Sequence, residues 1–383
     1  MKIIFKRKIL ANAIAPLMAT AQSRSTLPAV EGILIEAKMP NTVILTTYEL
    51  EKGMRTTIEA EVIEEGYFVI NAQKFNQTLY VMENEDITLT VDEKLCATIT
   101  SGRSTFRLNA LEGENFPSVP SLKSEMGFYI GEGVLRKMLD KTTYAMGTVD
   151  QRQVLNGCFV HVNDDGIMIV ACDSFKLARC SRRTEIKKGN ESDKYIHYSF
   201  ILPVKTVNEL YKLLSNDEEK MTRIYLMRKH IVFEIGNIIF FSRLIEGEYI
   251  DYERIILTNH KVTVEVNKEE LMSSLERAAL ITEEKIAGSV RSHVKLNVSG
   301  ENIEISAVST NGSSYDEVKI SHEGEDVLIA FNNRYLMDSI RSCDTEKIKL
   351  SISTPLTSMN IEPLEEEDGI EELYMILPVR IKE

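Results

Sequence analysis

The chain is predicted to fold as an α+β protein of three repeated domains, each built from antiparallel sheets with two helices. Three observations predict this. A short strand feeding an amphipathic helix occurs three times, and a second strand–break–helix pattern occurs midway through each copy. Between the helices the apolar period switches from that of a helix to that of a strand. The first pattern is Ile3-Ile4-Phe5 before a helix through Leu10, Ile14 and Leu17. It recurs at Phe128-Tyr129-Ile130 before Leu135, Met138 and Leu139, and at 262–266 before Leu271, Leu275 and Ala278. Leu10, Leu135 and Leu271 are 125 and 136 residues apart. The second pattern reads FVINAQKFNQTLYVM from Phe68, FILPVKTVNELYKLL from Phe200 and VLIAFNNRYLMDSIR from Val327. Aligning Lys74, Lys205 and Arg334 as equivalent helix positions gives separations of 131 and 129, close to one third of the 383 residues.

Taken in order, the helices are expected at 6–21, 72–82, 131–146, 204–214, 267–281 and 332–342. The strands between them alternate apolar and polar residues: Ile58, Ala60 and Val62; Ile87, Leu89 and Val91; Leu95, Ala97 and Ile99; Ile303, Ile305 and Ala307. Turn signals at Glu65-Gly66, Asp165-Gly166 and Asn311-Gly312 punctuate them. The domains are therefore 1–126, 127–258 and 259–383, with no Pro- or Ser-rich linker at either junction. The basic start (Lys2, Lys6, Arg7, Lys8), the apolar run after it and Ala19-Thr20-Ala21 also have the outline of a secretion leader. Asn12 and Pro16 break that run, and the strand–helix reading, which returns twice, is preferred. The acidic run Glu365-Glu366-Glu367-Asp368 reads as a solvated hairpin loop.

Hydrophobic residues make up 43% and charged residues 27%, enough for ordinary cores, and no apolar run approaches the length needed to cross a bilayer. The five cysteines (Cys96, Cys158, Cys172, Cys180, Cys343) are scattered with no Cys-x-x-Cys pair, which fits free thiols in a cytoplasmic protein rather than a disulfide framework or zinc ribbon. The net charge of −13 argues, taken alone, against binding phosphates. Its distribution does not: the six helices carry a net +6, leaving −19 on the rest. Equivalent helices of an arc of three domains would share one basic side, facing away from an acidic exterior, which suits non-specific contact with a polyanion.

Catalytic motifs are missing. There is no Walker loop, His-Glu-x-x-His or paired cysteine ligand set, and Gly131-x-Gly133 lacks a third glycine. Six histidines (His161, His197, His230, His260, His293, His322) show no ligand spacing. Asp173-Ser174 lacks a nucleophile-elbow context, and Asp173 is read as fixing a turn. The expectation is a non-enzyme without metal or cofactor.

Six segments carry a resemblance: SRSTLPAVEGILIEA from Ser23, SGRSTFRLNALEGENFP from Ser101, LNGCFVHVNDDGIMIVACDSFKLA from Leu155, SRLIEGEYIDYERI from Ser242, FNNRYLMD from Phe331 and LPVRI from Leu377. Together, and in this order, they make the chain resemble the bacterial DNA polymerase III beta subunits, the DNA sliding clamps, over essentially its whole length. The resemblance implies a processivity factor: two subunits joined head to tail into a ring around duplex DNA. Its implied partners are the polymerase III catalytic subunit, the clamp loader, and other polymerases and repair proteins. The family's subunit contacts map onto Phe106 and Leu108 on one side and Leu280 and Ile281 on the other. Arg103 and Arg107 would pair there with Glu283, Glu284, Asp316 or Glu317.

The resemblance also implies a groove for a short apolar peptide. Its second-domain positions are Leu155, Cys172, Ser174, Phe175, Lys176 and Leu177, then Ile250, Arg254 and Ile255. The third domain contributes Tyr335, Leu356 and Ser358, then Met375, Leu377, Pro378, Val379 and Arg380. Here the chain departs from the family's pattern. Cys172-Asp173-Ser174-Phe175-Lys176-Leu177-Ala178 stands where Thr-Asp-Gly, a polar residue and Arg-Leu-Ala are usual, and Ile250 replaces a proline. Lysine lacks the planar fork of arginine and phenylalanine adds bulk, so the preferred peptide is expected to differ. For DNA, Arg24 matches a family contact position and Arg152 lies in the loop before Leu155, where Gln153 and Val154 replace two usual tyrosines. Lys74, Lys205 and Arg334 either face the hole or are solvated surface charges. A diverged clamp paralogue with altered partners and a repeat scaffold that does not bind DNA stay open as alternatives.

Overall fold

The computed structural model describes residues 1–383 except 84, 123, 125, 191–193, 283–292, 311, 366–368 and 382–383. Glu283, Glu284, Asn311 and most of the acidic run at 365–368 therefore lie outside the described residues. The six α-helices among the described residues are α1 (Arg7–Leu17), α2 (Ala72–Val81), α3 (Glu132–Thr143), α4 (Val204–Leu213), α5 (Lys268–Thr282) and α6 (Asn333–Arg341). Each expected helix is present, within a few residues. The first stops earlier than expected: the chain passes into a 3-10 turn, Met18–Thr20, two residues after Pro16.

Asparagine side chains start three of the helices. Asn71 accepts from the Lys74 amide at 3.0 Å, Asn332 from the Tyr335 amide at 3.2 Å, and Asn267 from the Glu270 amide at 3.1 Å. Each satisfies a backbone donor the helix itself leaves unpaired. The caps also correct one expectation. Counted from them, Lys74 is equivalent to Tyr335, not to Arg334, so Lys74 and Arg334 are one helical position apart, about 100° around the axis. Leu10, Leu135 and Leu271 are truly equivalent: each is the fourth residue of its helix, and each is buried.

Each third of the chain repeats one element order. A strand leads into a helix, followed by a three-strand meander, a further strand, a second helix and a second meander; the first two thirds add one short strand after the first meander, Glu61–Glu64 and Lys187–Lys188. The first meanders are Gly32–Lys38/Thr42–Tyr48/Lys52–Glu59, Gly157–Asn163/Gly166–Cys172/Lys176–Arg183 and His293–Ser299/Asn302–Val308/Ser313–Glu323. The second meanders are Asp86–Val91/Cys96–Ser101/Ser104–Glu112, Met221–Leu226/His230–Ile235/Ile238–Arg243 and Lys347–Ile352/Met359–Pro363/Ile370–Ile376. The strand pairings among the described residues are antiparallel, and the period-two patterning fits sheets with one buried face.

The described residues form two compact units. One comprises Met1–Gly133, Lys187–Lys194 and Lys212–Leu244; the other comprises Val134–Ile186, Tyr195–Tyr211 and Ile245–Glu383. The middle third lends strands to both. In the first unit, strand Ile238–Arg243 pairs with Lys52–Glu59, placing Phe241 opposite Gly53. A Cβ on Gly53 would come within 2.3 Å of the Phe241 ring, so glycine is what lets the fully buried ring lie there. In the second unit, Lys176–Arg183 pairs with Ile370–Ile376, placing Leu177 opposite Met375. Each unit thus holds one large continuous sheet, of 14 and 12 strands.

The helices pack in pairs, α1 with α2 and α5 with α6. The Arg136 guanidinium of α3 lies 4.0 Å from the Tyr211 ring centre of α4. Residues 2–6, part of the segment that resembled a leader, form a strand paired with Asp86–Val91, and Ile3 and Phe5 are buried. No helix among the described residues is long and apolar enough to cross a membrane.

Candidate functional site

The candidate groove lies within the second unit and starts from an apolar floor. Leu155, Val170, Cys172, Leu177, Leu373 and Met375 form one buried cluster. Strand alternation puts them there: Val170, Cys172 and Leu177 come from one hairpin, and Leu373 and Met375 from the strand that pairs with it. Val154, Phe159, Met168, Tyr249, Ile250, Tyr252 and Ile256 pack against the floor while keeping part of their surface in solvent. The Phe159 and Tyr249 rings stack with centres 5.6 Å apart, and the Tyr252 hydroxyl donates to the Met168 sulfur at 3.7 Å. Burial pushes the Tyr249 hydroxyl pKa up strongly. Burial likewise raises the Cys172 thiol to about 12, and Cys172 Sγ donates to the Asp173 carbonyl at 3.0 Å. At neutral pH Cys172 is a small apolar wall, not a thiolate nucleophile.

The rim is built on Asp173. Its Oδ1 accepts the amides of Phe175 at 2.7 Å and Lys176 at 2.9 Å, fixing the turn as the sequence suggested. Its Oδ2 holds the Lys176 ammonium, which also sits 4.7 Å from the Tyr335 ring centre. That ammonium is buried and already paired, so it does not offer a free charge to a ligand. Phe175 tilts over Tyr335 with ring centres 6.0 Å apart and stays 54% exposed. The Leu377 amide donates to the Phe175 carbonyl at 2.8 Å, and the Val379 amide to the Ala330 carbonyl at 2.7 Å, which ties the C-terminal strap to the rim. Leu377, Val379 and Ile255 are exposed apolar groups, and Arg254 extends into solvent with Asp251 at 2.7 Å.

The structure thus brings together Leu155, Cys172, Leu177, Ile250 and Met375 in one cluster, and Phe175, Lys176, Tyr335 and Leu377 by direct contact. Leu356, Ser358, Pro378 and Arg380 stand outside that cluster: Leu356 is exposed in a turn, Ser358 is buried, Pro378 is half-buried and Arg380 is exposed. Sequence reasoning missed Tyr249, Tyr252, Phe159 and Met168. The run Glu248-Tyr249-Ile250-Asp251-Tyr252 carried the signal, since two tyrosines three residues apart on an irregular segment need an apolar surface to cover. It also missed Asp150, which connects two expected sites. The Ser174 hydroxyl donates to Asp150 Oδ2 at 3.3 Å, and Arg152 bonds Asp150 at 3.4 Å and Ser174 at 3.3 Å. The Arg152 backbone amide, then its side chain, hold the Asp150 carboxyl below the usual carboxylate range.

Of the other residues expected at DNA, Arg24 is exposed in the loop between two 3-10 turns, and Lys74, Lys205 and Arg334 are exposed on α2, α4 and α6. The expected subunit-contact residues are also on the surface. Phe106 is 37% exposed in strand Ser104–Glu112, with Arg103 and Arg107 exposed beside it and Leu108 half-buried. Leu280 is 80% exposed near the end of α5, and Ile281 is half-buried. Asp316 is engaged by Arg277 of α5, at 2.6 Å from Nε, and Glu317 accepts from the Tyr315 hydroxyl at 2.5 Å.

Family models of the DNA polymerase III beta subunit match the N-terminal domain at residues 1–120, the central domain at 130–251 and the C-terminal domain at 253–380. The beta sliding clamp of Staphylococcus epidermidis is 28% identical over 390 residues, covering 99% of each chain. The sliding clamp of Pseudomonas aeruginosa bound to griselimycin is 26% identical, with full coverage of both chains and a TM-score of 0.88. The Bacillus subtilis clamp, 24% identical with full coverage, shares the fold at a TM-score of 0.91. The chain belongs to the DNA polymerase III beta subunit family, the beta sliding clamps.

Proposed function

We propose that the chain works as a sliding clamp processivity factor: two copies close into a ring around duplex DNA, and the groove of each copy holds a short apolar peptide of a replication protein. The observation that carries the peptide reading is a buried apolar floor beneath an exposed rim of Phe175, Leu377, Val379 and Ile255, beside an Arg254 that is paired with Asp251 but solvent-exposed, where it can also meet a peptide carboxylate or carbonyl. The polymerase III catalytic subunit, the clamp loader and other polymerases and repair proteins are its proposed ligands. Because Lys176 is spent on Asp173 and Tyr335, the groove selects chiefly by apolar fit, with Phe175 narrowing the space available.

The three domains are proposed as 1–126, 127–258 and 259–383. Arg24, Lys74, Arg152, Lys205 and Arg334 are the proposed DNA contacts, sequence-independent and salt-sensitive. Phe106, Leu108, Leu280 and Ile281 form the proposed apolar centre of the subunit contact, with Arg103 and Arg107 at its rim. Topological linkage needs no catalytic group, so the chain is proposed as a non-catalytic accessory subunit acting in the cytoplasm at the nucleoid, opened by an ATP-driven loader. Titrating a fluorescent peptide ending in an apolar clamp-binding motif tests the groove. Saturable binding lost with Arg254→Ala and Leu155→Arg supports it, and binding indifferent to both rejects it.

A further inference from the structure

We propose that His161 and His197 form a binding site for a divalent transition metal ion, Zn²⁺, on the outermost strand of the second unit's sheet. The two histidines are 36 positions apart in the sequence, so no ligand spacing marks them. Strand pairing brings them together. Among the described residues, His197–Pro203 ends its sheet and pairs with Gly157–Asn163. His161 stands opposite Ser199, and His197 opposite Asn163, so the two histidines are diagonal neighbours on one face. Their ring centres are 5.0 Å apart, with the planes at 77°.

Separation, tautomer and charge state all suit a metal. Zn–N bonds of about 2.0–2.1 Å at a tetrahedral angle put two ligating imidazole centres roughly 5 Å apart. The pair already has that separation, so rotation of the rings is enough to converge two nitrogens on one ion. His161 Nδ1 lies 2.9 Å from the Ser199 hydroxyl oxygen. With its proton donated there, Nε2 keeps the lone pair, which is the arrangement that orients metal-ligating histidines. Burial, and then the neighbouring His197, hold the His161 pKa below 6.5. At neutral pH its ring is therefore uncharged, as a ligand must be.

The surroundings leave room for the ion and do not repel it. His161 opens onto a cavity of about 560 Å³, where Arg182 and Arg183 are balanced by Asp165 and Glu371. Among the described residues, no group of three or more histidine, cysteine or carboxylate side chains could hold a metal. Zinc at this pair therefore keeps water in its remaining positions, as open sites do. Two imidazoles favour Zn²⁺ or Cu²⁺ over Mg²⁺ and Ca²⁺, which prefer oxygen. A bound ion ties the outermost strand to its neighbour and so stabilises the folded chain.

Calorimetric titration of the full-length chain with Zn²⁺ tests the site, alongside His161→Ala, His197→Ala and Ser199→Ala. All three residues are at least partly exposed, so each variant should fold, and its metal-free unfolding midpoint checks that it does. The unsubstituted chain should show saturable Zn²⁺ binding that excess Mg²⁺ leaves intact. Either histidine change should abolish it, and Ser199→Ala, which removes only the orienting hydroxyl, should weaken it about tenfold. Zn²⁺ should raise the unfolding midpoint of the unsubstituted chain and leave that of His197→Ala unmoved. Saturable binding that survives both histidine changes would lie elsewhere and overturn the assignment, as would the absence of saturable binding to the unsubstituted chain.

Discussion

Lys141 and Arg277 hold the same place, the tenth residue of α3 and of α5, and do opposite things. Lys141 is buried and reaches into the next repeat: its ammonium meets Glu372 at 2.6 Å, Asp344 at 2.7 Å and the Ser342 carbonyl at 3.2 Å. Arg277 is exposed and turns back onto Asp316 in its own repeat. Around Lys141 the aromatic Tyr374, in the third strand of its meander, is fully buried, while Phe106, at the corresponding place in the first repeat, is 37% exposed. A junction joined within one chain can hold buried charges permanently because they are paired from the moment of folding. On the proposed ring reading, the edge bearing Arg277 must stay soluble until a second copy arrives, and its cation is accordingly exposed and already matched. The same place in the repeat thus holds a buried, permanently paired cation in one copy and an exposed one in another.

The comparison breaks first at Lys141. Lys141→Met strands the buried Glu372 carboxylate and should cost about 3–5 kcal/mol, whereas Arg277→Met should cost under about 1 kcal/mol. Thermal unfolding measures both, and equal losses would contradict the contrast. Acid and alkali sharpen it. Burial works against charge at Lys141, yet hydrogen bonds to Asp344 and Glu372 raise its pKa above 10.5. Burial likewise opposes the Asp344 charge, yet the Lys141 ammonium brings its pKa below 3.8. The raised lysine contributes stability below pH 10.5 that is lost as pH climbs through its folded pKa. The depressed aspartate contributes stability above pH 3.8 that is lost as pH falls through its folded pKa. The stability gap between the unsubstituted chain and Lys141→Met should be widest between those limits and shrink beyond both.

Phe240→Ala should destabilise the fold by about 3–5 kcal/mol, whereas Phe106→Ala should leave the unfolding midpoint nearly unchanged. Combined with Ile281→Ala, Phe106→Ala should shift dimer to monomer in sedimentation at low micromolar protein; an unchanged sedimentation coefficient would refute the contact. Arg254→Ala should weaken peptide binding roughly tenfold, the value of one charge-assisted hydrogen bond, and truncation after Leu377 should weaken it further. Fluorescence anisotropy with a labelled peptide reads both. The smallest effect belongs to Lys74→Glu with Arg334→Glu, which should reduce DNA association mainly at low salt, flattening the slope of log K against log salt by about one to two units.

Much of this was legible in the sequence because it is local. Apolar period and turn residues identified six helices and the threefold repeat, and the motif runs from Leu155 and Leu377 pointed to the proposed groove. What escaped depends on which strands meet. The Lys141–Asp344–Glu372 cluster joins residues some 200 positions apart, and the Asp150 link between Arg152 and Ser174 needs two loops brought together. Neither leaves a spacing to read. The alignment of Lys74 with Arg334 failed by one residue because charge marks a helix face loosely, while the Asn71 and Asn332 caps fix the phase. Phe106 was named as a contact only through the resemblance; that Phe106, Phe240 and Tyr374 hold corresponding places in their meanders appears only once the strand registers are known.

The most direct test of the clamp account is retention on DNA without ends. The protein is loaded onto nicked circular DNA by the clamp loader and ATP from the same source, separated from free protein, and the circle is then cut. The account predicts that the protein stays on circles at high salt and runs off when they are linearised. Equal retention on circular and linear DNA, or none on circles with a loader shown to load another clamp, would contradict it.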